Sequence, residues 1–219
     1  VVDRALNFVA NFEKDPAASP HLASVQDVPG DEGSKVRATW SRTPVDAATS
    51  PAQLCCYHID RRPVSPSASP WLEVAVVPAT ASSTYEHLVS TPTDSVGADP
   101  ALYRYRVVAS AAGDTVEWIS NEVEGYSVDN LAPPAPTSVS GSIASGFATL
   151  FWPAVTAPDL AHYRVYRGLE ALPPLDDAHR IATTTSTGFS DSPGHFANYR
   201  VTTVDVHGNE SQGCAFRPS

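Results

Sequence analysis

The sequence predicts an all-β chain, two β-sandwiches in tandem, and three observations carry that prediction. First, Pro 20 and Gly 12 in 219 residues, with abundant Ser, Thr, Val and Ala and hardly any long helix-forming run, describe short strands separated by frequent turns. Second, the chain repeats itself. KVRATWSRTPVD (35–46) matches FATLFWPAVTAPD (147–159), YHIDRRP (57–63) matches YRVYRGL (163–169), and YRYRVVASAAG (103–113) matches NYRVTTVDVHG (198–208), in the same order both times. Third, GYSVDNLAPPAPTSVSG (125–141) separates the copies, and Pro133, Pro134 and Pro136 exclude helix there and favour a stiff extended segment.

The expected organisation is therefore an N-terminal extension, 1–17, a first sandwich, 18–129, and a second, 130–219. In the first, strands are expected near 21–28, 35–42, 53–62, 71–78, 83–90, 102–111 and 116–124, with PGDEGS, PVSPSASP and PTDSVGADP among the turns between them. In the second they are expected near 137–143, 147–153, 162–167, 179–185, 187–190, 197–206 and 211–216. The period-2 signal is clearest in the sixth strand of each: Tyr105, Val107 and Ala109, like Tyr199, Val201 and Thr203, share one face, and Arg106 and Arg200 face away.

Trp40 and Trp152 on a second strand, Tyr57 and Tyr163 on a third, and the YRV of Tyr105 and Tyr199 on a sixth resemble the fibronectin type III pattern, an immunoglobulin-like sandwich. The linker DNLAPPAP and the ending VDVHGNES are similar to tandem type III modules of secreted and cell-surface bacterial proteins. The resemblance implies that Trp40, Tyr57, Tyr105, Trp152, Tyr163 and Tyr199 are core residues. It also implies that Tyr105 and Tyr199 are tyrosine corners whose hydroxyls bond nearby backbone. It says little of function, because this sandwich serves many roles. Private function is expected in the longer connection RTPVDAATSPAQL and the loop PVSPSASP of the first unit.

Residues 1–17 lie outside the resemblance. Leu6, Phe8, Ala10 and Phe12 alternate as on a strand, while Val2, Leu6, Val9 and Phe12 fit a helical stripe equally well; either face needs a partner to cover it. Lys+Arg 14 against Asp+Glu 24 gives a net charge of −10, which repels phosphate backbones and anionic membranes, so neither nucleic acid nor membrane insertion is expected. Met 0 points to a processed product or a fragment of something longer.

Candidate sites are few. Nucleophile elbow, phosphate loop, HExxH and EF-hand patterns are absent, so no catalytic residue, metal or cofactor is assigned. Asp205, His207, Asn209 and Glu210 crowd into six positions, but Gly208 and Asn209 are turn formers, and the matching stretch of the first unit offers only Ser110, Ala112 and Gly113. Asn209-Glu210-Ser211 also matches the glycosylation acceptor pattern. Cys55, Cys56 and Cys214 have no CxxC spacing, and on a regular strand the adjacent pair points to opposite faces. Arg61, Arg62, Arg104 and Arg106 form either a basic stripe or a set of surface ion pairs, the latter favoured. Trp71 and Trp118 lack counterparts in the second unit and are either packed at a sheet edge or a platform for carbohydrate.

These readings add up to a non-enzymatic extracellular structural or adhesive protein, secreted or at the cell surface, whose partners are other protein subunits. A sharper version has Leu6, Phe8, Ala10 and Phe12 joining the next copy to make a filament. The alternative is a C-terminal spacer or carbohydrate-binding accessory region of a secreted hydrolase.

Overall fold

A computed structural model describes residues 18–47, 54–96, 100–111, 117–193 and 196–218; the extension 1–17 lies outside them. The chain divides into two compact units at Asp129/Asn130.

In the first unit, β1 (His21–Asp27), β2 (Lys35–Ser41) and β5 (Thr84–Ser90) form one antiparallel sheet in the order β1-β2-β5. The facing sheet has the order β4-β3-β6-β7, from β3 (Leu54–Pro63), β4 (Leu72–Pro78), β6 (Tyr103–Ala111) and β7 (Glu117–Ile119). The short β8 (Val123–Gly125) continues the seventh strand along β6. Alternation makes the core: Val36, Ala38 and Trp40 of β2 are fully buried against Tyr57 and Ile59 of β3 and Tyr105, Val107 and Ala109 of β6. Trp40 stacks on Tyr85 at 5.4 Å between ring centroids and meets Tyr57 edge-on at 5.7 Å.

The second unit repeats the strand order. β9 (Ser140–Ala144), β10 (Phe147–Phe151) and β13 (Gly188–Asp191) form the order β13-β10-β9, and β11 (Leu160–Gly168), β12 (Arg180–Thr184), β14 (Asn198–Asp205) and β15 (Cys214–Phe216) form β12-β11-β14-β15. Its core holds Trp152, Tyr163, Val165, Tyr199 and Val201, with Trp152 edge-on to Tyr163 at 5.5 Å. In both units the first, second and fifth strands make one sheet and the fourth, third, sixth and seventh the other. That shared connectivity makes both fibronectin type III-like sandwiches.

β14 departs from simple alternation, because all eight of its residues are buried. Arg200 does face away from the core, as its register predicts, yet it is covered. Its guanidinium donates to the carbonyls of Gln212 (2.7 Å) and Pro173 (3.1 Å), so loops roof the strand that sequence periodicity left open to solvent. On the inner face the Thr203 hydroxyl lies 3.1 and 3.0 Å from the carbonyls of Pro133 and Pro134, tying the start of the unit to its sixth strand.

Candidate functional site

The tyrosine pair shows how differently the two copies are furnished. Tyr199 donates to the Asp191 carboxylate at 2.8 Å, a side chain rather than the backbone expected for a tyrosine corner. The Tyr105 hydroxyl is buried with no hydrogen-bond acceptor, and burial raises its pKa to about 12, tempered by the charge of Arg61.

The crowded loop after β14 is a turn. Asp205, 2 % exposed, accepts the amides of His207 and Asn209 on Oδ1, both at 2.8 Å, and the Asn209 side-chain amide on Oδ2 at 2.7 Å; Gly208 takes φ +97°. Asp159, Asp205 and His207 each bring a potential ligand atom within 4.8 Å of one another, but the Asp205 oxygens are already engaged by turn donors. Glu210 accepts from Arg164, Tyr166 and Thr202, each at 2.6 Å. Burial pushes its pKa up, but the hydrogen bonds from Thr202, Tyr166 and Arg164 outweigh this and hold it below the usual carboxylate range.

The outer face of the first unit's larger sheet carries an extended set of interacting side chains. Across β3 and β6, Cys56 pairs with Ser110, Asp60 with Arg106, and Arg62 with Arg104. Arg106 bonds Asp60 (2.8 Å), Arg62 bonds Glu122 (3.1 Å), and Arg104 bonds Glu124 (3.0 Å). Arg61 points elsewhere: it donates to the Ser90 carbonyl and lies 5.2 Å over the Tyr103 ring. The four arginines are therefore not a free basic stripe. Trp71 has the guanidinium groups of both Arg62 and Arg106 4.4 Å from its ring centroid, and Trp118 is a core residue only 4 % exposed. Cations occupy the ring of one tryptophan and the core takes the other, so neither offers the open platform a sugar stacks upon.

At the other end of this face, four residues that sequence reasoning did not connect come together. His58 sits between Glu73, 2.6 Å from Nδ1, and Ser110, whose hydroxyl is 2.9 Å from Nε2; Cys56 Sγ lies 3.6 Å from the same nitrogen and 3.5 Å from the Ser110 oxygen. The pairing register slips between Leu54 and Cys56, so Cys55 is an extra residue in the ladder. The strand is not regular at this point, and of the adjacent thiols Cys55 is exposed and Cys56 buried. A hydrogen bond with the Cys56 thiol is the first cause raising the pKa of Cys55, with burial and the Cys56 charge adding to it. All three cysteines are free. Only the adjacency of Cys55 and Cys56 to His58 could have signalled this cluster; Ser110 and Glu73 arrive through strand register.

No family model matches the chain, and no curated protein matches it. Among solved structures it is similar to the crystal structure of chicken CNTN1 FN1-FN3 domains, at 13% identity over 92% of this chain and 67% of that one, with a TM-score of 0.36. The class of protein, a tandem pair of fibronectin type III-like sandwiches, rests on the twice-repeated strand order.

Proposed function

We propose that the chain is an extracellular structural or adhesive module whose two sandwiches act as spacers, and that copies join through residues 1–17. One observation motivates the joining mode. β4 is an edge strand of the larger sheet in the first unit, and it exposes Leu72 (59 %) and Val76 (48 %). An unpaired edge with apolar side chains is a template for an added strand. The alternating Leu6, Phe8, Ala10 and Phe12 of a second copy have the pattern to fill it. Fold and role are compatible, since a sandwich with a packed core keeps its dimensions under load.

The test is assembly. Purified chain followed by light scattering and electron microscopy should form oligomers or filaments, and removal of residues 1–17 or Val76→Lys should each return it to monomer. A chain that stays monomeric at high concentration, or assembles unchanged without residues 1–17, overturns the joining mode. Discovery of a catalytic domain encoded upstream in the same protein would favour an accessory role in a hydrolase instead.

A further inference from the structure

We propose that Asp159, Asp205 and His207 of the second unit hold a divalent metal ion of the manganese or zinc type at the turn that follows β14. Backbone pairing brings the three together. Leu160, the first residue of β11, lies opposite Asp205, the last of β14, and the Val206 amide donates to the Asp159 carbonyl at 3.0 Å. The entry to one strand is thereby fixed beside the exit of the other. His207 follows in the turn and donates its amide to Asp205 Oδ1 at 2.8 Å.

One potential ligand atom from each of the three residues lies within 4.8 Å of the other two. Two atoms bound to one ion at about 2.0–2.4 Å can be at most ~4.8 Å apart, so all three can share a single ion. A second observation shows what the place lacks. Asp159 Oδ2 is buried, and no hydrogen-bond donor among the described residues reaches it. An ionised oxygen buried without a donor is costly, and here a second carboxylate, that of Asp205 at 2 % exposure, stands beside it. The first unit meets the same need with donors: the matching Asp46 accepts the hydroxyls of Tyr57 (2.9 Å) and Tyr85 and the Ala81 amide (3.0 Å). In the second unit the Tyr163 hydroxyl, the counterpart of Tyr57, is turned to the Val155 amide instead. A cation between the two carboxylates supplies the missing partner and cancels their repulsion.

Asp205 has a position left for that ion. Each carboxylate oxygen can accept twice; Oδ1 is filled by the amides of His207 and Asn209, while Oδ2 takes the Asn209 side-chain amide at 2.7 Å and keeps a lone pair. The turn bonds therefore hold the ligand in place, as hydrogen bonds to a ligating carboxylate do. Asp159 and His207 are each partly exposed, which leaves a route from solvent. Two carboxylates with one imidazole suit manganese or zinc, whereas calcium, which takes about six to eight oxygens, fits a set containing nitrogen poorly.

The experiment uses the full chain, stripped of metal with a chelator that is then dialysed away. Mn2+ is the probe, because it prefers oxygen ligands to thiolates and so keeps the free cysteines out of the reading. Titration followed by electron paramagnetic resonance of the free ion should show one saturable equivalent, the melting temperature should rise with bound Mn2+, and Zn2+ should displace it. Asp159→Asn and His207→Gln should each weaken binding at least about 10-fold, while far-ultraviolet circular dichroism stays that of the parent. Asp205 is left intact, since its turn bonds would be lost with it. Asp177→Asn removes a carboxylate whose side chain is 88 % exposed in another loop, and its unchanged binding separates the site from loose association with an acidic surface. Absence of a saturable equivalent in the parent overturns the site. So does binding that is unchanged in both Asp159→Asn and His207→Gln, or that falls as far in Asp177→Asn as in those two. None of these readouts depends on how copies of the chain assemble.

Discussion

The two units share a strand order and place the same aromatic types at matching positions, yet they satisfy their buried polar groups in different ways. In the first, the Asp46 carboxylate is buried among donors: the hydroxyls of Tyr57 (2.9 Å) and Tyr85 and the amide of Ala81 (3.0 Å) all reach it. Its sequence counterpart in the second unit is Asp159, whose Oδ2 is buried with no partner, while Tyr163, the counterpart of Tyr57, accepts the Val155 amide at 2.9 Å and Phe189 packs against the core. The second unit instead pairs partly buried carboxylates with arginines, Glu210 with Arg164 and Asp191 with Arg167. Connectivity is thus kept by apolar alternation, while the polar interior diverges, down to which buried groups find a partner and which, like Asp159 Oδ2 and the Tyr105 hydroxyl, do not.

The largest test of this contrast removes the shared element. Trp40→Ala and Trp152→Ala should each cost about 3–5 kcal/mol, with Trp40 at the upper end because it loses contact with both Tyr57 and Tyr85, whereas Trp152 loses one aromatic neighbour, Tyr163. Denaturant unfolding followed by far-ultraviolet circular dichroism measures both, and equal losses would remove the distinction. Next in size is the aspartate pair. Asp46→Ala strands two tyrosine hydroxyls and should cost about 2–4 kcal/mol, while Asp159→Ala should cost clearly less; the difference in unfolding midpoint is the readout.

Acid should separate the units as well. The pKa values of Glu210 and Asp191 are both held below the ordinary carboxylate range. For Asp191, burial works the other way and is outweighed by hydrogen bonds from Tyr199, Arg167 and the Ser192 amide. A depressed folded-state pKa contributes stability that is complete above the unfolded value and lost as pH falls through the folded one. The second unit should therefore weaken as the solution is taken below the normal carboxylate range, seen as a falling melting temperature reported by Trp152 fluorescence in a Trp40→Phe, Trp71→Phe, Trp118→Phe background. Glu210→Gln should flatten that dependence. The smallest expected effect sharpens the comparison most: Tyr199→Phe should cost about 1–2 kcal/mol by stranding part of the Asp191 interaction, whereas Tyr105→Phe should be close to neutral, because its hydroxyl has no acceptor to lose.

Strand positions were readable because alternation and repetition are one-dimensional. Trp40 and Trp152 close matching strands, and Tyr105 and Tyr199 open the inward-facing set of matching strands, so each copy supports the reading of the other. The roofing of Arg200 was not readable, since the Pro173 and Gln212 carbonyls that cover it belong to loops with no periodicity. That these arginines are paired was the favoured reading for Arg62, Arg104 and Arg106, but not which carboxylates they meet, which depends on Glu122 and Glu124 arriving at and beside β8 and on Asp60 facing Arg106.

The sequence by itself determined an all-β chain with one sandwich pattern written twice, because burying one face of a strand imposes a period of two wherever the strand lies. Only the tertiary structure decided which polar side chains meet. His58 and Ser110 are 52 residues apart and touch because β3 and β6 pair in one register, which also sets Cys56 opposite Ser110. A shift of one residue turns every side chain of a strand to the other face, so chemistry built across strands depends on register that no single strand encodes.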